Sequence, residues 1–259
     1  MSRPGDFDNL SGTEVRLDHP STLPAKTFIL DEKLSEEYQT MTQLVCDQGL
    51  GPPFAAIKFS CHNLLSPAQQ GFMRIYCQIP IDGTVSRPPE VRARQAVGQH
   101  THTEIKVLKS LDDQNCAAVP RLLGLRTGLQ DAGDYVPGGY ISYVAWERVS
   151  GELIKSSSFW ESDFAYREQV RFAFSTAYEE LRRCGWRPAL IHVGKLIYND
   201  VTKVMYISGF RDPVTIKPEP LSDVTYACWG LAKPSDRLDW YLDSSDWKCD
   251  QSGRTWPPF

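Results

Sequence analysis

CGWRPALIHVGKLIYNDVTKVMYISGFRDP, residues 184–213, opens where a long amphipathic pattern stops. Gly185 is a fitting end for that helix, because glycine takes the left-handed C-terminal conformation without strain. An irregular loop follows, and two β-rich runs then close around the polar residues 199–203, a hairpin pattern. The triplet Phe210, Arg211 and Asp212 ends the stretch before Pro213.

Upstream, residues 159–184 carry the strongest helical spacing. Tyr166, Val170, Phe174, Ala177, Leu181 and Cys184 recur at three- and four-residue steps. The other face interleaves Arg167, Arg171, Arg182 and Arg183 with Glu168, Glu179 and Glu180, the pattern of a solvated mixed-charge face. Residues 119–125 and 135–149 read as strands around a Gly-rich loop, and Ser150-Gly151 marks the boundary between two halves. A helix starting near Ala93 presents Ile105, Leu108 and Leu111 on one face. Residues 54–61 and 72–79 read as strands, and residues 32–43 as a short helix. Residues 1–26, polar with Pro4, Pro20 and Pro24, read as a loosely ordered N-terminal arm. Beyond Pro213 the chain is rich in Pro, Asp and Trp, with one short helix at 222–232. The expected organisation is an arm (1–26), a β-rich part with one central helix (27–149) and a shortened helical part (150–259).

At 259 residues, 41% hydrophobic and 23% charged, the chain has enough apolar side chains for a sizeable core. A net charge of −4 argues against a dedicated DNA binder. No apolar run approaches the roughly 18–20 residues needed to span a bilayer, and the N-terminus lacks the apolar core of a signal peptide. The seven cysteines (Cys46, Cys61, Cys77, Cys116, Cys184, Cys228 and Cys249) are odd in number and contain no C-x-x-C. They read as reduced, mostly buried thiols of a cytoplasmic protein, neither a disulfide framework nor a zinc site. His100 and His102 form an HTH triplet with no second cluster nearby in sequence, and read as polar residues at a helix start.

Residues 55–60, AAIKFS, set one lysine in an apolar strand, and an ammonium buried there needs an anionic partner. Glu104, in HTHTEIKVLKSL, is the candidate partner. The alternative is a surface lysine on an edge strand and an exposed helical glutamate. AAIK at Lys58, Glu104 on a helix, VAWERVSG at residues 144–151 and Phe159-Trp160 together resemble the protein-kinase-like superfamily, particularly small fungal kinase-like proteins. The resemblance covers residues 40–215 and implies a two-lobed, protein-kinase-like α+β fold with a shortened C-terminal lobe.

The departures from that family bear on function. GLGPP replaces a glycine-rich loop, and its prolines remove N–H groups that would cradle phosphate. With Lys195 in the asparagine position, Leu190 stands where a catalytic aspartate belongs, and Gly209 where a metal-binding aspartate belongs. Protein phosphorylation and a metal cofactor are therefore not expected. In length and texture the chain also resembles the fungal arginine-containing cyclodipeptide synthases of secondary metabolism. That likeness implies two aminoacyl-tRNA substrates, one of them arginyl-tRNA, and no cofactor, because the acyl ester is already activated. Under it, Lys58, Glu104, Lys195 and Asp212 are the candidate catalytic groups. Glu147, Trp146 and Arg211 are candidate substrate-binding groups, and Arg87, Arg92 and Arg94 a candidate basic rim for RNA. The alternative is a catalytically inactive pseudokinase serving as a kinetochore-type protein-interaction module; a small-molecule phosphotransferase ranks behind both.

Overall fold

The computed structural model describes residues 7–19, 22–216, 220–233, 238, 239 and 242. Residues 1–6 of the expected arm and Cys249 lie outside that set. The chain forms two compact units: Met1–Ile105 with Leu122–Arg148, and Lys106–Arg121 with Val149–Phe259.

In the first unit six strands close into a barrel. They are β1 (Glu14–His19), β2 (Thr22–Gln39), β3 (Phe54–Asn63), β4 (Ser66–Gln78), β5 (Leu122–Leu129) and β6 (Tyr140–Glu147). Their order round the barrel is β1-β2-β3-β4-β6-β5, every pairing is antiparallel, and β1 meets β5 at Asp18 and Leu125. Helices α1 (Gln43–Asp47) and α2 (Pro89–Ala93) lie in the connections, and α3 (Thr103–Asp113) begins in this unit. Period-two alternation decides which side chains enter the barrel. Ala55, Ile57, Phe59 and Cys61 of β3 join Met73, Ile75 and Cys77 of β4 in one buried cluster with Phe28, Leu30, Val15 and Leu17. Each such aliphatic or aromatic side chain contributes about 1.5–3 kcal/mol on burial. The same alternation turns Lys58, Phe72, Arg74 and Tyr76 to the outer face. Register shifts in β2 around Lys33 bend that long strand, as closure of a sheet requires.

The expected two-lobed, protein-kinase-like α+β fold with a shortened C-terminal lobe is therefore corrected. Among the described residues strand outweighs helix, and the first unit is a closed antiparallel barrel. Two stretches account for the difference. Glu14–His19, read as part of a loose arm, is β1. Most of residues 32–43, read as helix, belongs to β2, where Ser35 pairs with Lys58 and Glu37 with Ala56. Their Glu- and Lys-rich composition suits a helix locally, but ladder pairing with a buried neighbour overrides propensity.

The second unit is built on α5 (Phe164–Cys184), preceded by β7 (Glu152–Leu153) and α4 (Ser156–Glu161). After α5 come β8 (Trp186–Pro188), β9 (Leu196–Asn199), β10 (Val204–Ile207), β11 (Pro213–Thr215) and α6 (Asp223–Cys228). The pattern read as one helix over 159–184 is two, because Asp163 caps a new start, accepting from the Tyr166 amide at 2.8 Å. Gly185 (φ +80°) ends α5, its amide donating to the carbonyls of Leu181 and Arg182. Val170, Phe174, Ala177 and Leu181 are buried, with the Phe174 ring 5.5 Å from that of Trp229. Strands β9 and β10 form the hairpin, Asn199 opposite Val204 and Leu196 opposite Ile207, with β7 added to its edge. The mixed-charge face of α5 is corrected too: Arg167 and Arg171 are only 5% and 3% exposed. The guanidinium of Arg171 donates to the Leu231 carbonyl and to Glu168, while that of Arg167 donates to the Trp160 and Ser162 carbonyls. Among the described residues, no helix is long and apolar enough to cross a membrane.

The seam that closes the barrel is tight. A Cβ on Gly124 would lie 2.8 Å from Leu17 Cβ and 3.1 Å from the Asp18 carbonyl oxygen. Gly124→Ala is expected to cost about 1–3 kcal/mol through overpacking, read as a lowered midpoint in urea denaturation. An unchanged midpoint would mean the seam is open in solution.

Candidate functional site

The polar residues that alternation turns out of the barrel converge on strands β3, β4 and β6. Lys58 pairs in register with Arg74, and Phe72 with Trp146. The Lys58 ammonium lies 4.2 Å from the centre of the Phe72 ring and 5.6 Å from that of Trp146. The Arg74 guanidinium lies 5.4 Å from Trp146. Two cations thus share one aromatic surface, each attracted by the negative face of a ring.

Glu104 anchors the other side of this cluster. It sits in the first turn of α3, where the helix dipole favours a carboxylate, and is 4% exposed. One oxygen accepts from Arg74 Nη1 at 2.5 Å and the other from the Tyr76 hydroxyl at 2.7 Å. The His102 ring stacks on Tyr76 at 3.7 Å, and its Nε2 is 3.1 Å from the Tyr140 hydroxyl. The Phe54 ring packs edge-on against His102 at 4.5 Å, and His100 stands 4.7 Å away. Burial, reinforced by the charge of Glu104, pushes the Tyr76 phenol up, so it stays a proton donor. Burial raises the Tyr140 phenol as well. Burial works against the charge on Arg74, but Glu104 outweighs it and the guanidinium is held more firmly protonated.

The expected site residues fall into both units. Lys58, Glu104 and Trp146 come together on the barrel face, with Arg74 directly bonded to Glu104. Glu147, one residue beyond Trp146, alternates to the opposite face of β6 and lies across from Gly71. Arg92 is tied down by donating to the carbonyls of Arg87, Asp134 and Tyr135, while Arg87 and Arg94 are exposed. The three therefore do not form one uniform basic rim. Lys195, Arg211 and Asp212 belong to the second unit. The Lys195 carbonyl accepts from the Ser208 amide and hydroxyl, at 2.9 and 3.0 Å. The Lys195 side chain covers Gly209 (φ +92°), where an added Cβ would lie 2.7 Å from its Cδ and 3.0 Å from its Nζ. Asp212 is exposed, and its carbonyl accepts from the Ala189 amide at 2.8 Å. Leu190 is 74% exposed.

Arg74, Tyr76, Phe72 and His102 were missed as site residues. The alternation of Phe72, Arg74 and Tyr76 within FMRIY carried the signal, since it puts all three on one face of a strand. Nothing in the sequence places His102 against Tyr76.

The second unit carries a different feature, an apolar groove of about 1230 Å³ along α5 and β10. Phe172, Ala173, Thr176, Ala177, Val204 and Met205 line it, and Phe172 is 75% exposed.

No protein-family model matches the chain, and no curated protein matches it. Among solved structures, the chain is similar to the kinase PK-1 of the Cydia pomonella granulovirus, with 12% identity and a TM-score of 0.42. The match covers 73% of this chain and 53% of the viral kinase, so the chain spans about half the length of that protein. That degree of likeness assigns neither fold nor activity.

Removing the carboxylate would strand the Arg74 guanidinium, whose side chain is only 13% exposed. Glu104→Ala is expected to destabilise by about 3–5 kcal/mol, and Tyr76→Phe by about 1 kcal/mol. Urea denaturation checks both, and equal effects would contradict an ion pair at the centre of the cluster.

Proposed function

We propose that the chain is an aminoacyl-tRNA-dependent cyclodipeptide synthase that makes an arginine-containing diketopiperazine. The observation that carries this reading is the barrel face on which Lys58 lies over the rings of Phe72 and Trp146 and Arg74 over that of Trp146. The acceptor end of a tRNA is a single strand, which proteins hold by pairing cations with phosphates and stacking bases on aromatic rings. The likeness in length and texture to the fungal synthases supports the same reading.

The chemistry asks little beyond positioning. The α-amine of one aminoacyl group attacks the ester carbonyl of the other. The C–O bond to one tRNA breaks, and its terminal hydroxyl leaves with a proton. A second aminolysis closes the ring and releases the other tRNA. Each tetrahedral oxyanion needs a fixed positive charge, which the Lys58 ammonium supplies. Glu104 is a positioning residue, since its carboxylate already holds Arg74. Glu147, on the opposite face of β6, and Asp212, Lys195 and Arg211, in the second unit, are given no part in these steps. Charged tRNA is a cytoplasmic substrate, which agrees with reduced thiols.

The second reading, a protein-interaction module, is favoured by the groove beside the exposed Phe172. The test expresses the chain in a bacterial host and searches extracts by mass spectrometry for arginine-containing diketopiperazines. The purified chain is then supplied with charged tRNA, with and without ribonuclease. Ribonuclease-sensitive product is expected, and Trp146→Ala should lower RNA affinity about tenfold through loss of one stacking contact. Absence of product together with absence of RNA binding would overturn the reading in favour of an interaction module.

A further inference from the structure

We propose that Cys116, Glu180 and Cys184 form a binding site for a thiophilic divalent cation, Zn²⁺ in the first instance, separate from the barrel face. Their ligand atoms, two thiol sulfurs and a carboxylate oxygen, all lie within 4.8 Å of one another. Sequence spacing concealed the group, because Cys116 is far from the other two along the chain and there is no C-x-x-C.

The fold brings the three together in two ways. Glu180 and Cys184 are one helical turn apart on α5, so they share a face. Cys116 follows α3, where Asn115 takes a left-handed conformation (φ +52°) and the Cys116 amide returns to the Leu111 carbonyl at 2.9 Å. The backbone around them is cross-tied, since the Gln114 side-chain amide donates to the Cys184 carbonyl at 3.2 Å.

The donor set suits zinc. Tetrahedral Zn²⁺ takes thiolate sulfur at about 2.3 Å and carboxylate oxygen at about 2.0–2.2 Å, which sets ligand atoms roughly 3.5–3.8 Å apart. The observed limit of 4.8 Å is wider than that, so binding draws the three ligand atoms together. Both cysteines are 5% exposed, whereas the Glu180 side chain is 29% exposed, leaving an open side for water as fourth ligand. Glu180 also accepts from Arg183 at 2.6 and 3.0 Å and from the Ala117 amide. A carboxylate has about four lone-pair sites, so these donors orient it and leave capacity for a metal, as outer partners do in metal sites. Thiolate is the ligand form, so a cation that binds both sulfurs displaces their protons.

The experiment titrates the reduced, metal-free full chain with Co²⁺ and follows sulfur-to-cobalt charge-transfer absorption. Zn²⁺ competition and proton release are measured in parallel. One equivalent of Co²⁺, displaced by Zn²⁺ with release of about two protons, is expected. Cys116→Ser and Cys184→Ser should each weaken binding at least a hundredfold, and Glu180→Gln about tenfold. Zn²⁺ should raise the Tm of the wild type and not of the folded serine variants. Absence of the band, its survival in both serine variants, or a Cys116–Cys184 disulfide that forms under peroxide as readily with Zn²⁺ present would each overturn the proposal.

Discussion

Closure of the six-stranded sheet on itself is the constraint from which the rest of the first unit follows. A closed sheet has an inside that side chains must fill, and strict alternation then assigns every second residue of β3, β4 and β6 to the outside. The inside is satisfied by Ile57, Phe59, Met73 and Ile75, none more than 1% exposed. The outside of the same strands is thereby free to carry Lys58, Arg74, Tyr76 and Trp146 without weakening the core. Glycine is needed where backbones approach: at Gly71 an added Cβ would lie 2.7 Å from the Trp146 carbonyl oxygen. The polar cluster is the reverse side of a packing solution, and its precision comes from strand register.

The second unit solves a different problem. Helix α5 buries two arginines as well as its apolar stripe, and each guanidinium must find acceptors in a poorly solvated place. Carbonyls of Leu231, Trp160 and Ser162 supply them, so these arginines fasten the segments around α5 to the helix. The cation–π contacts of Arg171 with Phe159 and of Arg167 with Trp160 serve the same end. One consequence is that the exposed strip of α5 is left with Phe172 and small residues, an apolar surface on an otherwise charged helix.

What the sequence made legible was local. The stop at Gly185 and the hairpin around residues 199–203 follow from single-residue backbone preferences and period-two runs, and both are present. The arm and the helix over residues 32–43 were misread because β1 and β2 owe their form to neighbours distant in sequence: Ile29 pairs with Glu14 on one side and with His62 on the other. Lys58 stood out because it is a charge in an apolar run, and Glu104 as its candidate helical partner. For Arg74, which bonds Glu104, alternation within FMRIY gave its face of the strand, but its place opposite Lys58 depends on a cross-strand register that the chain does not spell out. Buried Arg167 and Arg171 were hidden for a related reason, since a helical charge pattern looks the same whether its acceptors are water or carbonyls.

Position 209 ties two residues into a single unit of variation. Its positive φ suits glycine, and the methylenes and ammonium of Lys195 occupy the space a side chain would need. An acid introduced there meets both obstacles at once, while shortening Lys195 alone leaves an unfilled space over the glycine. Shortening Lys195 would relieve the crowding at 209 but not the positive φ, which still favours glycine. The side chain at 195 and the backbone at 209 are therefore coupled through one shared volume.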